Sequence, residues 1–368
     1  MPTDARLDCK HYLGDRPCAA RRTCEGCDAY LPMGTRIAVI KLAAPGDVLR
    51  ATAILPPLRR SYPESHVTWV ADRAALPLVA LNPCLDRVME FGFETALILG
   101  VEAFDVAICL DKEPRAGALL KTLRAGVKRG FHLSESGTIE PLNEGAAYDL
   151  ALGLSDELKF RVNTKSYPEI ACGVAGLPYE GDPYVLALPD DSVAGASRFL
   201  AALGGEAPLV GLVAGAGSVF ANKSLPPARL ASLARAVRAD LGGTPIVLGG
   251  PADRATSEEV LRLAEGAALD GGLHDVLEYA ALVGMLDAVV TGDTMALHVA
   301  VALGVPVVAV FGPTAPQEID LFGNGRKVIA RVDCAPCYRR SCDRTPSCMD
   351  RIDVGEILTA VRDVLRES

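Results

Sequence analysis

The stretch 287–316, DAVVTGDTMALHVAVALGVPVVAVFGPTAP, constrains the fold more than any other part of the chain. Residues 287–291 are a short apolar run that stops at Thr291-Gly292, a turn pair. Asp293 and Thr294 then stand where a helix N-cap belongs. Residues 295–303 carry small and apolar side chains on almost every face, so the helix they form has to be buried. Gly304 can close it, and 305–311 is a continuous, largely β-branched run of the kind found in a central parallel strand. A buried helix that starts at the carboxyl edge of a parallel sheet aims free N–H groups and the positive end of its dipole into a crevice. A diphosphate suits that place. Gly292 lets the backbone approach, Thr294 adds a hydroxyl, and His298 lies one turn further on. The same residues suit an ordinary capped helix with His298 as a satisfied core histidine, and the stretch alone leaves both readings open.

A chain of 368 residues is long enough for two domains. Half of it is hydrophobic but only 5% is aromatic, so the core has to be Ala, Val and Leu, as in layered α/β folds. No apolar run reaches the roughly 18 residues of a spanning helix. The N-terminal MPTDARLDCK lacks the apolar segment of a signal peptide, and a cytosolic protein is expected. The net charge of −9, from 46 acidic and 37 basic residues, speaks against a general nucleic-acid binder.

Taken in order, residues 1–33 form an arm without periodicity. From residue 36 the pattern alternates strand and helix: strand 36–41, a tight turn over 42–46, and a helix from Asp47 to about residue 60. Strand 66–71, a short helix 73–80, strands 86–91 and 104–110, helix 114–124 and strand 127–131 follow. Such alternation implies a parallel sheet with helices on both faces. Residues 132–182 are polar and rich in Gly and Pro, with a helix near 144–152, and the domain boundary falls at about 181–183. The pattern then repeats: strand 184–188, helix 192–203, strand 209–214, the Gly-rich loop Gly215-Ala216-Gly217-Ser218, helix 226–240, strand 244–248 ending in Gly249-Gly250, helices 253–266 and 274–284, the opening stretch, and a last helix over 354–365. The domains expected are therefore an arm (1–33), two α/β halves (34–182 and 183–326) and a tail (327–368).

Eight of the eleven cysteines fall into two groups: Cys9, Cys18, Cys24 and Cys27 in the arm, and Cys334, Cys337, Cys342 and Cys348 in the tail. In a reducing compartment four thiolates at such spacings could hold a structural zinc or an iron–sulfur cluster, or remain free thiols.

The segments KLAAPGDVLRATAILPPLRRSYP, GAGSVFANKSLPP, GDTMALHVAVALGVPVVAVFGPTAP and CAPCYRRSC occur in that order. As an ordered set over roughly residues 35–352 they resemble glycosyltransferase family 9, the ADP-heptose:lipopolysaccharide heptosyltransferases. The resemblance implies a GT-B fold: two Rossmann-like domains facing a cleft, the first for the acceptor and the second for the sugar nucleotide, with a final helix that often crosses back. It places Asp47 on the catalytic base, which takes the proton from an acceptor hydroxyl as that oxygen attacks the anomeric carbon. From spacing alone Asp47 could equally cap its helix. The resemblance puts Lys223 beside the phosphates of the leaving nucleoside diphosphate. Ser218 would donate a hydroxyl, Thr294, Met295 and Ala296 a helix N-terminus, and Asp293 and His298 the remaining donor contacts. Gly215, Gly217, Gly249, Gly250 and Gly292 would line the nucleotide. Lys223 and the helix dipole would stand in for a divalent metal, so transfer would require no cofactor.

The implied partners are an ADP-sugar and an anionic glycolipid of the lipopolysaccharide inner core, met in the cytoplasm or at the inner-membrane surface. Gly46, Arg59, Arg60, Lys112, Arg115 and Arg129 are the candidate acceptor contacts, Arg115 foremost because it follows a strand's carboxyl end. Other readings of the same chain are a GT-B enzyme with a different nucleotide-sugar donor, a sugar-nucleotide epimerase, or a cysteine-rich metal or redox protein.

Overall fold

The computed structural model describes residues 5–217 and 220–367. The first half runs β1 (Thr35–Ile40), α1 (Pro45–Ala51), α2 (Leu55–Ser61), β2 (Ser65–Ala71), β3 (Arg87–Glu90), α3 (Phe93–Val101), β4 (Ala103–Cys109), α4 (Pro114–Thr122), β5 (Arg124–Leu133), β6 (Ile139–Pro141), α5 (Glu144–Leu154) and α6 (Tyr167–Ala175). The second half runs α7 (Asp190–Leu203), β7 (Leu209–Val213), α8 (Pro227–Leu241), β8 (Thr244–Leu248), α9 (Arg254–Ala264), β9 (Leu269–Asp270), α10 (Val276–Val283), β10 (Ala288–Thr291), α11 (Met295–Ala302), β11 (Val307–Phe311), β12 (Gly325–Ile329) and α12 (Val354–Glu367).

Two six-stranded sheets result, in the orders β3-β2-β1-β4-β5-β6 and β12-β11-β10-β7-β8-β9. Every pairing is parallel except β5 with β6. By its contacts the chain divides into two compact units. The first takes the chain up to Ala43, Ala53–Ala151 and Ile170–Asp182; the second takes Ala44–Thr52, Leu152–Glu169 and everything from Pro183 on. The expected half 34–182 is thus interrupted twice, because α1 and the segment before α6 pack in the second unit.

Each unit has its own core. In the first, Ala38, Ile40 and Val70 meet Leu99 of α3 and Leu119 and Leu120 of α4. In the second, Val210, Val290 and Val308 meet Leu230 and Leu233 of α8 and Ile357 and Val361 of α12. The last helix therefore stays with the second unit instead of crossing back.

Three expectations change. The helix from Asp47 to residue 60 is two helices separated by a 3-10 turn at Thr52–Ile54, because Pro56 and Pro57 bring no N–H to continue the ladder. The helix over 73–80 shrinks to the turn Leu76–Leu78 around Pro77. Residues 184–188 lie between Pro183 and Pro189 and join no sheet; Val185 N–H donates to Thr52 Oγ1 at 2.8 Å instead. Helices α3 and α6 and the strands β6, β9 and β12 are not legible as elements in the sequence.

Candidate active site

Helix α11 begins where the apolar stretch places it, and its surroundings explain why its turn is built from small residues. A Cβ on Gly292 would lie 2.1 Å from the carbonyl oxygen of Lys223, so only glycine lets the two backbones meet. With its backbone seated there, Lys223 extends Nζ to Asp293 Oδ2 at 3.1 Å and lies 5.0 Å from the centre of the Phe220 ring. Thr294 occupies the N-cap position but makes no side-chain cap bond; its hydroxyl meets that of Thr291 at 2.9 Å. The first turn of α11 is left with N–H groups that no capping side chain satisfies.

In front of that turn lies a cavity of ≈ 370 Å³ in the second unit. Gly215, Gly217, Gly249, Gly250, Thr294, Met295 and Ala296, all expected to touch the donor, line it together. Gly217 has φ +68°, a conformation that favours glycine. Asp253, which no motif marks beyond its place at the start of the helix expected over 253–266, joins the two glycine loops. Its Oδ1 accepts from Gly217 N–H and its Oδ2 from Gly250 N–H, both at 3.2 Å. A Cβ on Gly215 would fall 1.9 Å from the Asp253 carboxyl carbon, which explains that glycine too. Ser218 lies outside the described residues.

On the other flank of α11 stands α1. A Cβ on Gly46 would be 3.0 Å from His298 Cδ2 and 3.3 Å from Met295 Cα, so the two helix starts pack backbone to side chain. The next residue is Asp47, whose carboxylate is 41% exposed and takes Arg50 Nη2 at 2.8 Å. The Arg50 guanidinium also stacks 3.8 Å from the centre of the Tyr167 ring. Burial works against the charge of Arg50, but Asp47, then Tyr167, Asp293 and Glu318, hold it firmly protonated. His298 is pushed down to about 4 by burial and by Arg50, against the pull of Asp293 and Asp47, so it is neutral at physiological pH. For Asp293 burial is outweighed by Lys223, His298 and Arg50, and its carboxyl sits below the usual range. Three buried polar atoms here, Arg50 Nε, Tyr184 Oη and His298 Nδ1, have no hydrogen-bond partner among the described residues. The Tyr184 ring meets His298 edge-on at 5.8 Å. Tyr167 and Tyr184 carry no motif, and Arg50, although inside the segment KLAAPGDVLRATAILPPLRRSYP, has nothing local that marks its stacking on Tyr167. Chemically, the arrangement offers an ammonium and free helix N–H groups for an anion, with a partly exposed carboxylate nearby.

The remaining candidates lie in the first unit and are engaged in its own contacts. Arg59 binds Asp86, the Ser65 carbonyl and the Cys84 carbonyl; Arg60 grips Asp182 with both Nη atoms; Arg129 bonds the Ala175 and Gly176 carbonyls. Lys112 pairs with Asp149 at 2.8 Å. Arg115 pairs with Asp72 and Glu113 yet stays 48% exposed. All eight grouped cysteines are free thiols. Cys9, Cys18, Cys24 and Cys27 line one pocket, and Cys334, Cys337, Cys342 and Cys348 another. As placed, no three Cys, His, Asp or Glu side chains among the described residues are grouped to hold a metal ion.

The family model of glycosyltransferase family 9 (heptosyltransferase) matches residues 96–347, well over half of the chain. The chain belongs to glycosyltransferase family 9. It is a glycosyltransferase, and its two parallel-sheet units have the GT-B architecture of that family's solved members. Lipooligosaccharide heptosyltransferase 2 of Haemophilus influenzae is 26% identical over 317 residues, which cover 78% of this chain and 86% of the relative. A family 9 glycosyltransferase from Veillonella parvula superposes with a TM-score of 0.74 at 21% identity, covering 91% of this chain and 98% of its own. The ADP-heptose lipopolysaccharide heptosyltransferase II of Escherichia coli gives 0.66 at 19% identity, over 90% and 99%.

Proposed function

We propose that this family 9 enzyme transfers a heptose from ADP-heptose, with inversion, to an anionic inner-core glycolipid at the cytoplasmic face of the membrane. The observation that carries the reading is the packing of the Gly46-Asp47 turn against the start of α11, beside Lys223, within one compact unit. Asp47 is the base: its carboxylate, 41% exposed, takes the proton of the acceptor hydroxyl while the hydroxyl oxygen bonds to the anomeric carbon and the sugar–phosphate bond breaks. The departing diphosphate gains negative charge, and Lys223 with the uncapped first turn of α11 faces that charge. Asp293 holds the ammonium in place, and the glycine loops joined by Asp253 accommodate the nucleoside.

The test is transfer from ADP-heptose to a Kdo-lipid acceptor, with Asp47→Ala and Lys223→Ala alongside. Both variants should lose at least 100-fold in kcat while still binding ADP-heptose. Wild-type-like turnover by Asp47→Ala removes it from the chemistry. A thermal-shift panel of ADP-, UDP-, GDP- and CMP-sugars tests the donor, and stabilisation by another nucleotide but not by ADP would refute it.

The tail cysteines have a separate reading, in which they hold a structural metal. Its support is their convergence on one pocket. Their placement would have to tighten on binding. Elemental analysis of protein purified without oxygen decides; less than about 0.3 metal per chain rules it out.

A further inference from the structure

Helix α3 is built the wrong way round for a surface helix. Its core side is Thr95, Ala96 and Leu99, with Leu99 in the first unit's core. Its outer side carries the larger apolar residues: Phe93 is 79% exposed, Leu97 56%, Ile98 46% and Val101 74%. Phe93, Leu97 and Val101 follow each other at i, i+4 and i+8 and so form one stripe. Glu94 is the one charged residue of the helix. A stripe of this size on an acidic protein marks a contact surface.

The charges around the stripe say what it contacts. At its Val101 end the Arg124 guanidinium donates to the Val101 carbonyl. Lys128 Nζ donates to the Lys121 carbonyl at 2.9 Å, and Lys121 stands three residues before Arg124, so the three cations follow one another from the Val101 end of the stripe. The acids near that end are already paired: Glu102 takes Arg36 and Arg87. Asp105 accepts the backbone N–H of Arg36. At the other end Arg115, paired with Asp72 and Glu113, lies 5.2 Å from the centre of the Phe91 ring. An apolar helix face whose Val101 end is bordered by cations bonded to carbonyls and not to carboxylates, on a chain whose net charge is −9, fits a surface that is apolar within and anionic at its boundary.

We propose that the outer face of α3, with Lys121, Arg124 and Lys128, docks the enzyme on an anionic lipid bilayer, Phe93, Leu97, Ile98 and Val101 entering the headgroup–acyl boundary. The inference rests on the reading of a lipid-borne acceptor, but its test needs no turnover. The full chain is sedimented with vesicles of phosphatidylethanolamine and phosphatidylglycerol, and with vesicles of phosphatidylcholine alone. Wild type should bind the anionic vesicles, and less so as salt rises. Phe93→Ser with Val101→Ser should weaken binding at least about tenfold. Lys121→Gln with Arg124→Gln should weaken it several-fold and flatten its salt dependence. Both variants should keep the far-UV spectrum and the turnover of a water-soluble Kdo acceptor. Equal binding to phosphatidylcholine, unchanged binding by the serine variant, or a wild-type dimer that this variant makes monomeric would each overturn the proposal. Turnover of the soluble acceptor without vesicle binding would refute the docking surface and leave the transferase reading intact.

Discussion

Acidification should unload the second unit through His298. The ring is 4% exposed and its proton affinity lies at about 4, against 6.5 in an unfolded chain. A histidine held neutral in the fold contributes no penalty above pH 6.5, where both states are deprotonated. As pH falls from 6.5 towards 4 the unfolded state takes up a proton that the folded state refuses, and stability declines. At about 1.4 kcal/mol per unit, the full interval between 6.5 and about 4 amounts to roughly 3 kcal/mol. At pH 5 roughly 2 kcal/mol of it is already lost. Two measurements check this. In a carbon–proton NMR titration the ring signal that disappears in His298→Gln should stay in its neutral position down to about pH 5. In Arg50→Met the same signal should titrate at higher pH, because Arg50 is the second cause of the depression after burial. Hydrogen exchange of peptides spanning β10 to β11 should report a wild-type loss between pH 7.5 and 5 that exceeds the loss in His298→Gln by roughly 2 kcal/mol. A ring that titrates near 6.5, or a difference under about 0.5 kcal/mol, refutes the reasoning.

Two further outcomes follow from the site's backbone contacts. Gly292→Ala forces a Cβ into the Lys223 carbonyl; it should cost about 1–3 kcal/mol by thermal or urea unfolding and weaken ADP binding, measured by calorimetry, at least tenfold. Asp253→Ala removes the acceptor shared by Gly217 and Gly250; it should raise KM for the sugar nucleotide about tenfold with a small change in kcat, as expected when a group shapes the donor cavity without meeting the reacting atoms.

The contrast between α11 and α3 shows what made elements legible. The buried helix was readable because its residues are small and apolar between a Gly turn and a β-branched run, a pattern with one packing solution. Helix α3 was missed because its exposed face is as apolar as its core face, so no period separates it from a strand or a loop. The misread helices 47–60 and 73–80 have one cause: Pro56, Pro57 and Pro77 each remove a donor that apolar spacing does not register. In the site, the residues carried by motifs (Asp47, Lys223, Gly292 and Asp293) sit near one another, whereas Arg50, Tyr184 and Asp253 matter through contacts across long stretches of chain. No local pattern encodes the pairing of Asp253 with Gly217, or the stacking of Arg50 on Tyr167.

The same proline break bears on how the site holds its geometry. α1 is only seven residues long and ends in the 3-10 turn that Pro56 and Pro57 enforce. This short piece, Ala44–Thr52, belongs by its contacts to the second unit, although β1 and α2 on either side belong to the first. Thr52 fixes its end twice, with Oγ1 donating to the Leu49 carbonyl at 2.6 Å and accepting from Val185 N–H. Gly46 fixes its start against His298 and Met295. The carboxylate of Asp47, the ammonium of Lys223 and the first turn of α11 are therefore positioned by the packing of a single compact unit. Asp47, which arrives from the first half of the sequence, is thereby held beside the start of α11 by contacts inside the second unit, because the seven-residue α1, set apart from α2 by two prolines, is seated on α11.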